Sequence, residues 1–196
     1  MHTNSDLKKF VMDLLKGKLP EKYYYHNLEH TKYTMEKAIE IGRHEHCSEK
    51  EIDLLWVAAL WHDIGFINTY AGHEEEGCKL AWQYLPGYGF STSDINTICG
   101  MVMATKIPQS PQHKLEEILA DADLEYFGAD NPESKAALLF SELQTLDPSL
   151  TNEAWDQIQI SFLQHHHYFT NYCQKNKEPA KQDYLNKLLA ESGTEG

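Results

Sequence analysis

Apolar positions recur at three- and four-residue spacing through almost the whole chain, and no alternating pair of strands with a hairpin turn interrupts them. The spacing predicts a first helix over Leu7–Leu15, closing at Gly17 with Pro20 beyond. Asn27 caps a second, which runs to about Ile41 and ends at Gly42. Ser48 and Glu51 form a capping box for a third, to about Asp63. This third helix is apolar nearly all round (Ile52, Leu54, Leu55, Trp56, Val57, Ala58, Ala59, Leu60), a pattern that belongs in the centre of a domain. A fourth starts near His73 and stops before Pro86-Gly87, and Ser91 with Asp94 opens a fifth carrying Ile95, Ile98, Met101, Val102 and Thr105. Pro108 and Pro111 break the chain before a sixth, marked by Leu115, Ile118, Leu119, Ala122 and Tyr126 and ending at Gly128. Two more are predicted at Glu133–Thr145 and Glu153–Asn171, with a short one near Asp183–Leu189.

The expectation is therefore an all-α fold forming a single domain over residues 1–196. Its core spans about residues 24–128, and helices from about 129 to 190 pack on that core. A chain of this length buries a full core without disulfide staples. The longest apolar run, around Leu54–Leu60, falls far short of the roughly 18–20 residues a membrane span needs, and Met1–Asp6 lacks the apolar stretch of a secretory signal. With 17 Lys and Arg against 30 Asp and Glu, the net charge is −13. Nucleic-acid binding needs a basic footprint, so DNA and RNA are not expected partners. An anionic small substrate stays open where a local cation overrides the global field. The four cysteines are scattered without a C-x-x-C pair, which fits reduced thiols in the cytoplasm. The informative excess is the 11 histidines.

Those histidines fall into fragments with metal-competent carboxylates: Tyr25-His26-Asn27-Leu28-Glu29-His30, His62-Asp63, His73-Glu74 and Asp121-Ala122-Asp123. At about 100° per residue, Asp63 continues the stripe of Ile52, Trp56 and Ala59 and points into the core. A carboxylate there is costly unless a cation or hydrogen bonds compensate it. Asp123 sits at the edge of the apolar face of the sixth helix, whereas Asp121 is expected to turn toward solvent. Each fragment alone has a bland explanation, such as a hydrogen-bonded core histidine or a solvated helix face. Together, on an apolar helical scaffold, they predict a site.

The ordered set His30, His62-Asp63 and Asp123 resembles the HD superfamily of metal-dependent phosphohydrolases, whose signature is H…HD…D on an all-helical core. The similarity runs from about Tyr24 to Gly128, and Trp61-His62-Asp63-Ile64-Gly65 adds specificity. The resemblance implies that His30, His62, Asp63 and Asp123 bind a divalent cation, with Asp121 the second choice to Asp123. The Tyr-His-Asn-x-x-His run also resembles the cyclic-nucleotide phosphodiesterases, which implies that His26 protonates the leaving oxygen. Two imidazoles and two carboxylates suit Mn, Fe, Mg, Ni or Zn. The implied reaction is attack of metal-activated water on phosphorus, with Asp63 and His26 as the catalytic residues. The expected substrate is a small phosphorylated metabolite, such as a nucleotide.

Some HD proteins add two histidines between the HD pair and the last Asp and so hold two metals. His73 matches the first, but the fifth helix has Ala104-Thr105-Lys106 where the second would fall. That departure argues for one tightly held ion, leaves His73 and Glu74 to touch substrate or a weaker second ion, and weakens an oxygenase reading. A metal-keeping regulatory module is a third reading, against which His26 stands. Lys106 is a candidate phosphate contact. Trp155, Phe162, His166, Phe169 and Cys173 fall on one helical face, which points His166 inward, either to the pocket or to the core. Tyr23, Tyr24 and Tyr88 suit either a homodimer contact or a pocket rim.

Overall fold

The computed structural model describes residues 2–192, and among them the regular structure is ten α-helices and three 3-10 turns, with no strand. The helices are α1 (His2–Lys18), α2 (Leu28–His44), α3 (Glu49–Trp61), α4 (His73–Tyr84), α5 (Thr92–Ala104), α6 (Lys114–Asp123), α7 (Pro132–Leu146), α8 (Asn152–His165), α9 (Asn171–Asn176) and α10 (Glu178–Ser192). Polar caps set several of the starts. Asn27 accepts from the amides of Glu29 and His30 at the head of α2. Ser48 with Glu51 and Ser91 with Asp94 close as capping boxes at α3 and α5. Each satisfies amide donors that a first helical turn leaves without partners.

Helix α3 is the central element. Leu55, Val57, Ala58, Ala59, Leu60 and Trp61 are fully buried between α2, α5 and α6, and the Leu7, Val11 and Leu15 stripe of α1 joins the same core. The Trp61 indole donates to the Gly77 carbonyl at 2.8 Å, fastening the end of α3 to α4. A smaller core forms where α8 and α10 meet the 3-10 turn Glu125–Gly128, built on Phe127, Ile160, Leu163, Tyr184 and Leu185. Gly128 marks the seam between the two cores. A Cβ there would stand 2.5 Å from the Lys177 carbonyl oxygen, so only glycine permits the approach.

The continuous helix expected over Glu153–Asn171 is not formed. Helix α8 stops at His165, and His166 turns extended (φ −72°, ψ 137°). The cause is tertiary. The amides of Phe169 and Thr170 donate to the Asp121 carboxylate, each at 2.9 Å, and the Thr170 hydroxyl adds a third bond at 2.6 Å. Lys181, fully buried, donates to the His166 carbonyl at 2.5 Å. These bonds give the segment partners that a helix ladder would otherwise supply, and Thr170 then caps α9. The same contacts correct the expectation that Asp121 faces solvent, because its side chain has no exposure. The last helix is longer than the predicted Asp183–Leu189 and begins at Glu178. Among the described residues no helix is long and apolar enough to cross a membrane.

Candidate metal centre

Four helix ends deliver the histidines and carboxylates to one place. His30 lies in the first turn of α2, His62 and Asp63 follow the last turn of α3, Asp123 is the last residue of α6, and His73 and Glu74 begin α4. The turn after Asp63 works only because residue 65 is glycine. A Cβ on Gly65 would lie 1.9 Å from the His73 carbonyl oxygen. The Asp63 turn and the start of α4 are therefore in backbone contact.

His30 Nε2 and His62 Nε2 stand 3.2 Å apart. Asp123 Oδ1 is 3.0 Å from the first and 3.4 Å from the second, and Asp63 Oδ2 is 3.4 Å and 3.1 Å from the same pair. The donor atoms of His30, His62 and Asp123 all lie within 4.8 Å of one another. The tautomer of His62 is set by its other nitrogen: Nδ1 donates to the Ala59 carbonyl at 2.8 Å, so the neutral ring turns the Nε2 lone pair toward the cluster. Asp63 Oδ2 is buried without a hydrogen-bond partner. An orphaned carboxylate oxygen facing two imidazole nitrogens is the arrangement a divalent cation compensates. Metal–ligand bonds of about 2.0–2.2 Å place neighbouring donors about 3 Å apart, which matches the spacings here.

The electrostatics agree. Burial disfavours charge on His62, yet Asp63 and Asp123 outweigh it and hold the imidazole well above its ordinary pKa. Burial also works against the ionised forms of Asp63 and Asp123, but the facing imidazoles keep both carboxyls well below the usual range. Positive charge is thus stabilised where the four side chains converge.

His26 stands beside this cluster and is held by a residue that sequence reasoning missed. Glu142 of α7, fully buried, accepts from the amides of Tyr25 and His26 at 2.9 and 3.0 Å and from His26 Nδ1 at 2.5 Å. Burial lowers the His26 pKa, but the Glu142 hydrogen bond and the nearby Asp63 charge more than offset it, so the net shift is upward. Phe66, also missed, packs its ring on His26 at 4.3 Å and on His73 at 3.8 Å. The signal for Glu142 was faint: it lies next to the apolar pair Leu139 and Leu143, where a carboxylate is as costly as Asp63.

The cluster closes one end of a cavity of about 420 Å³, whose polar lining is Tyr25, His26, Asp63, His73, Glu74, Thr105, Asp123, Tyr126 and Gln159. His73 Nε2 is 3.7 Å from Asp63 Oδ1, and Thr105 arrives from the place where a second metal-binding histidine would be expected. Lys106 does not line the cavity; its ammonium pairs with Glu75. His166 lines a neighbouring cavity of about 290 Å³ that shares Ile107 and Phe162 with the first. Its ring is pushed down to about 3 by burial and by Lys181, and its Nε2 is buried without a partner.

The structure is an all-α bundle in which two histidines and two aspartates converge at helix ends, a donor set that could hold a metal ion. The HD domain matches residues 24–125, just over half the chain, and the chain belongs to the HD-domain family. Among solved structures it is similar to a predicted HD superfamily hydrolase from an uncultured Thermotogales bacterium, with a TM-score of 0.62 and 23% identity over 93% of this chain and 91% of that one. No curated protein matches.

Proposed function

We propose that the protein is a metal-dependent phosphohydrolase that cleaves a small phosphate ester. The carrying observation is the buried cluster of His30, His62, Asp63 and Asp123, with the unpartnered Asp63 Oδ2 at its centre, beside a histidine already paired with a buried carboxylate. A divalent cation held there supplies Lewis-acid stabilisation of phosphoryl charge and a water that is nucleophilic near neutral pH. The chain's own residues do the rest. The His62 Nδ1 bond to Ala59 fixes the ligand tautomer. Glu142 fixes the His26 ring and favours its protonated form, so that the ring stands ready to hand a proton to the leaving oxygen. His73 and Glu74 border the same space and are assigned to substrate contact. Lys106, tied to Glu75, and His166, beyond Phe162, are at most outer contacts of a longer substrate.

The test is metal analysis of protein purified without chelator, followed by turnover of phosphomonoesters, cyclic dinucleotides and nucleoside mono- and triphosphates. One divalent ion per chain is expected. His62→Ala should lose the ion, while His26→Ala should keep it and lose roughly 10²–10⁴-fold in turnover. Parental turnover by His26→Ala, or two irons with oxygen consumption, would replace this reading.

A further inference from the structure

The cavity is two-faced, and its larger face carries information about the substrate. Away from the metal-binding end its wall is Phe127, Leu139, Leu143, Trp155, Ile158 and Phe162, contributed by the 3-10 turn and by α7 and α8. Those residues lie beyond the HD-matched span. Ile107 and Ile158, at the mouth, are 53% and 48% exposed, large apolar side chains with no covering element. Gln159 is the sole amide on the lining, and both of its ends are engaged: Oε1 accepts from the Tyr184 hydroxyl at 2.7 Å and Nε2 donates to Asp156 at 3.3 Å. The one amide on the lining is thus held in place by Tyr184 and Asp156 rather than free to turn toward the edge of a nucleobase.

Charge points the same way. Among the described residues no lysine or arginine lines the cavity, while Asp63, Glu74 and Asp123 do. Asp63, Glu74 and Asp123 together outweigh the two charges of a bound divalent cation, and the one cationic ring on the lining, His26, is already paired with Glu142, so no free side-chain cation remains for a second or third phosphoryl group.

Resting on the phosphohydrolase reading, we infer that the substrate is a singly phosphorylated ester whose alcohol is a compact apolar body, aliphatic or aromatic, and that nucleoside polyphosphates are excluded. Hydrolysis then forms the P–O bond to water and breaks the P–O bond to the alcohol. The proton of His26 goes to the departing alkoxide, a proton from water is released in exchange, and the products are the apolar alcohol and inorganic phosphate.

The experiment uses the metal-loaded full chain and an ethyl-to-hexyl series, as alkyl phosphates for turnover and as the non-hydrolysable alkylphosphonates for calorimetric binding. Each methylene that enters the wall should tighten phosphonate binding about fourfold, the equivalent of about 0.8 kcal/mol, until the cavity is full. Adenosine triphosphate should bind more weakly than hexylphosphonate. Trp155→Ala should flatten the chain-length dependence, and Ile158→Ser, at a half-exposed position that tolerates change, should do so independently if the tryptophan variant misfolds. A flat series in the parent protein, or tighter binding of the triphosphate, overturns the inference even if phosphate esters are turned over. A steep phosphonate series without turnover of any ester instead keeps the apolar selectivity and refutes the hydrolase reading.

Discussion

Glu142→Gln separates positioning of His26 from mere packing. In the parent, Glu142 accepts two backbone amides through Oε2 and His26 Nδ1 through Oε1. Glutamine is close in volume and keeps one carbonyl oxygen, which can go on accepting the Tyr25 and His26 amides. Its amide nitrogen then replaces Oε1. That NH₂ is a donor, so His26 can no longer donate from Nδ1 and must accept there, and the doubly protonated ring loses its charge-assisted partner. A hydrogen bond to a charged group contributes about 1.5–3 kcal/mol, which corresponds to about 10- to 150-fold in the rate of a step that needs the imidazolium.

The direction in pH follows from the causes acting on His26. Burial lowers its pKa, and the Glu142 hydrogen bond and charge are two of the influences that raise it. Removing them shifts the ring downward. A general acid works while protonated, so activity falls as pH rises through the His26 pKa, and in the variant that limb moves to lower pH. The assay is kcat/KM against pH for a turned-over phosphate ester, with Tm read on the same samples. A purely structural role would lower Tm and leave the limb where it was. A parental rate with a parental alkaline limb would refute the positioning argument.

Chelator treatment should lower Tm by about 5–11 °C relative to protein held with metal at a hundredfold excess over Kd, because ligation then contributes about 2.7 kcal/mol. The gap should shrink on acidification as protons compete with the ion for its imidazole and carboxylate ligands, and a Tm indifferent to chelator would remove the metal from the account. Gly65→Ala would bring a Cβ within 1.9 Å of the His73 carbonyl, and backbone cannot yield as a side-chain tip does. Urea unfolding should report a loss of at least about 1–3 kcal/mol, and a neutral result would mean that the start of α4 is free to move. Asp121→Asn tests the joint that ends α8. Burial pushes the Asp121 carboxyl up to about 6 against the bonds from Thr170 and Phe169. Folding therefore favours its protonated form, so this group's contribution is present at low pH and is lost as pH rises from about 4 to 6, on the order of 3 kcal/mol in all. The asparagine variant should lose that pH dependence in denaturant midpoints, and an unchanged slope would count against it.

The convergence of His30, His62, Asp63 and Asp123 was legible in the sequence because its cost is local. Asp63 follows an all-apolar helix, and helical phase alone puts a carboxylate where only a cation or hydrogen bonds can satisfy it. Asp121 defeated the same phase argument, since its partners are the amides of Phe169 and Thr170, 48 and 49 residues away. Helical phase identifies a face, but cannot tell whether that face meets water or another segment of chain. The break after His165 failed for the matching reason: apolar spacing continues from Trp155 through Cys173, and only the distant Asp121 and Lys181 make the extended path cheaper than a helix.

Glu142 belongs to this second kind of residue. Its apolar neighbours Leu139 and Leu143 mark it only faintly, and it acquires meaning when folding brings it to His26, 116 residues away. The apolar wall has the same origin, drawn from α7 and α8. The candidate metal ligands are thus written in compact fragments within residues 24–125, whereas the orientation of the proposed proton donor and the proposed choice of alcohol depend on helices that carry no motif. Substitutions in those later helices should therefore change which ester is accepted, and how its leaving group is protonated, more readily than they change metal binding.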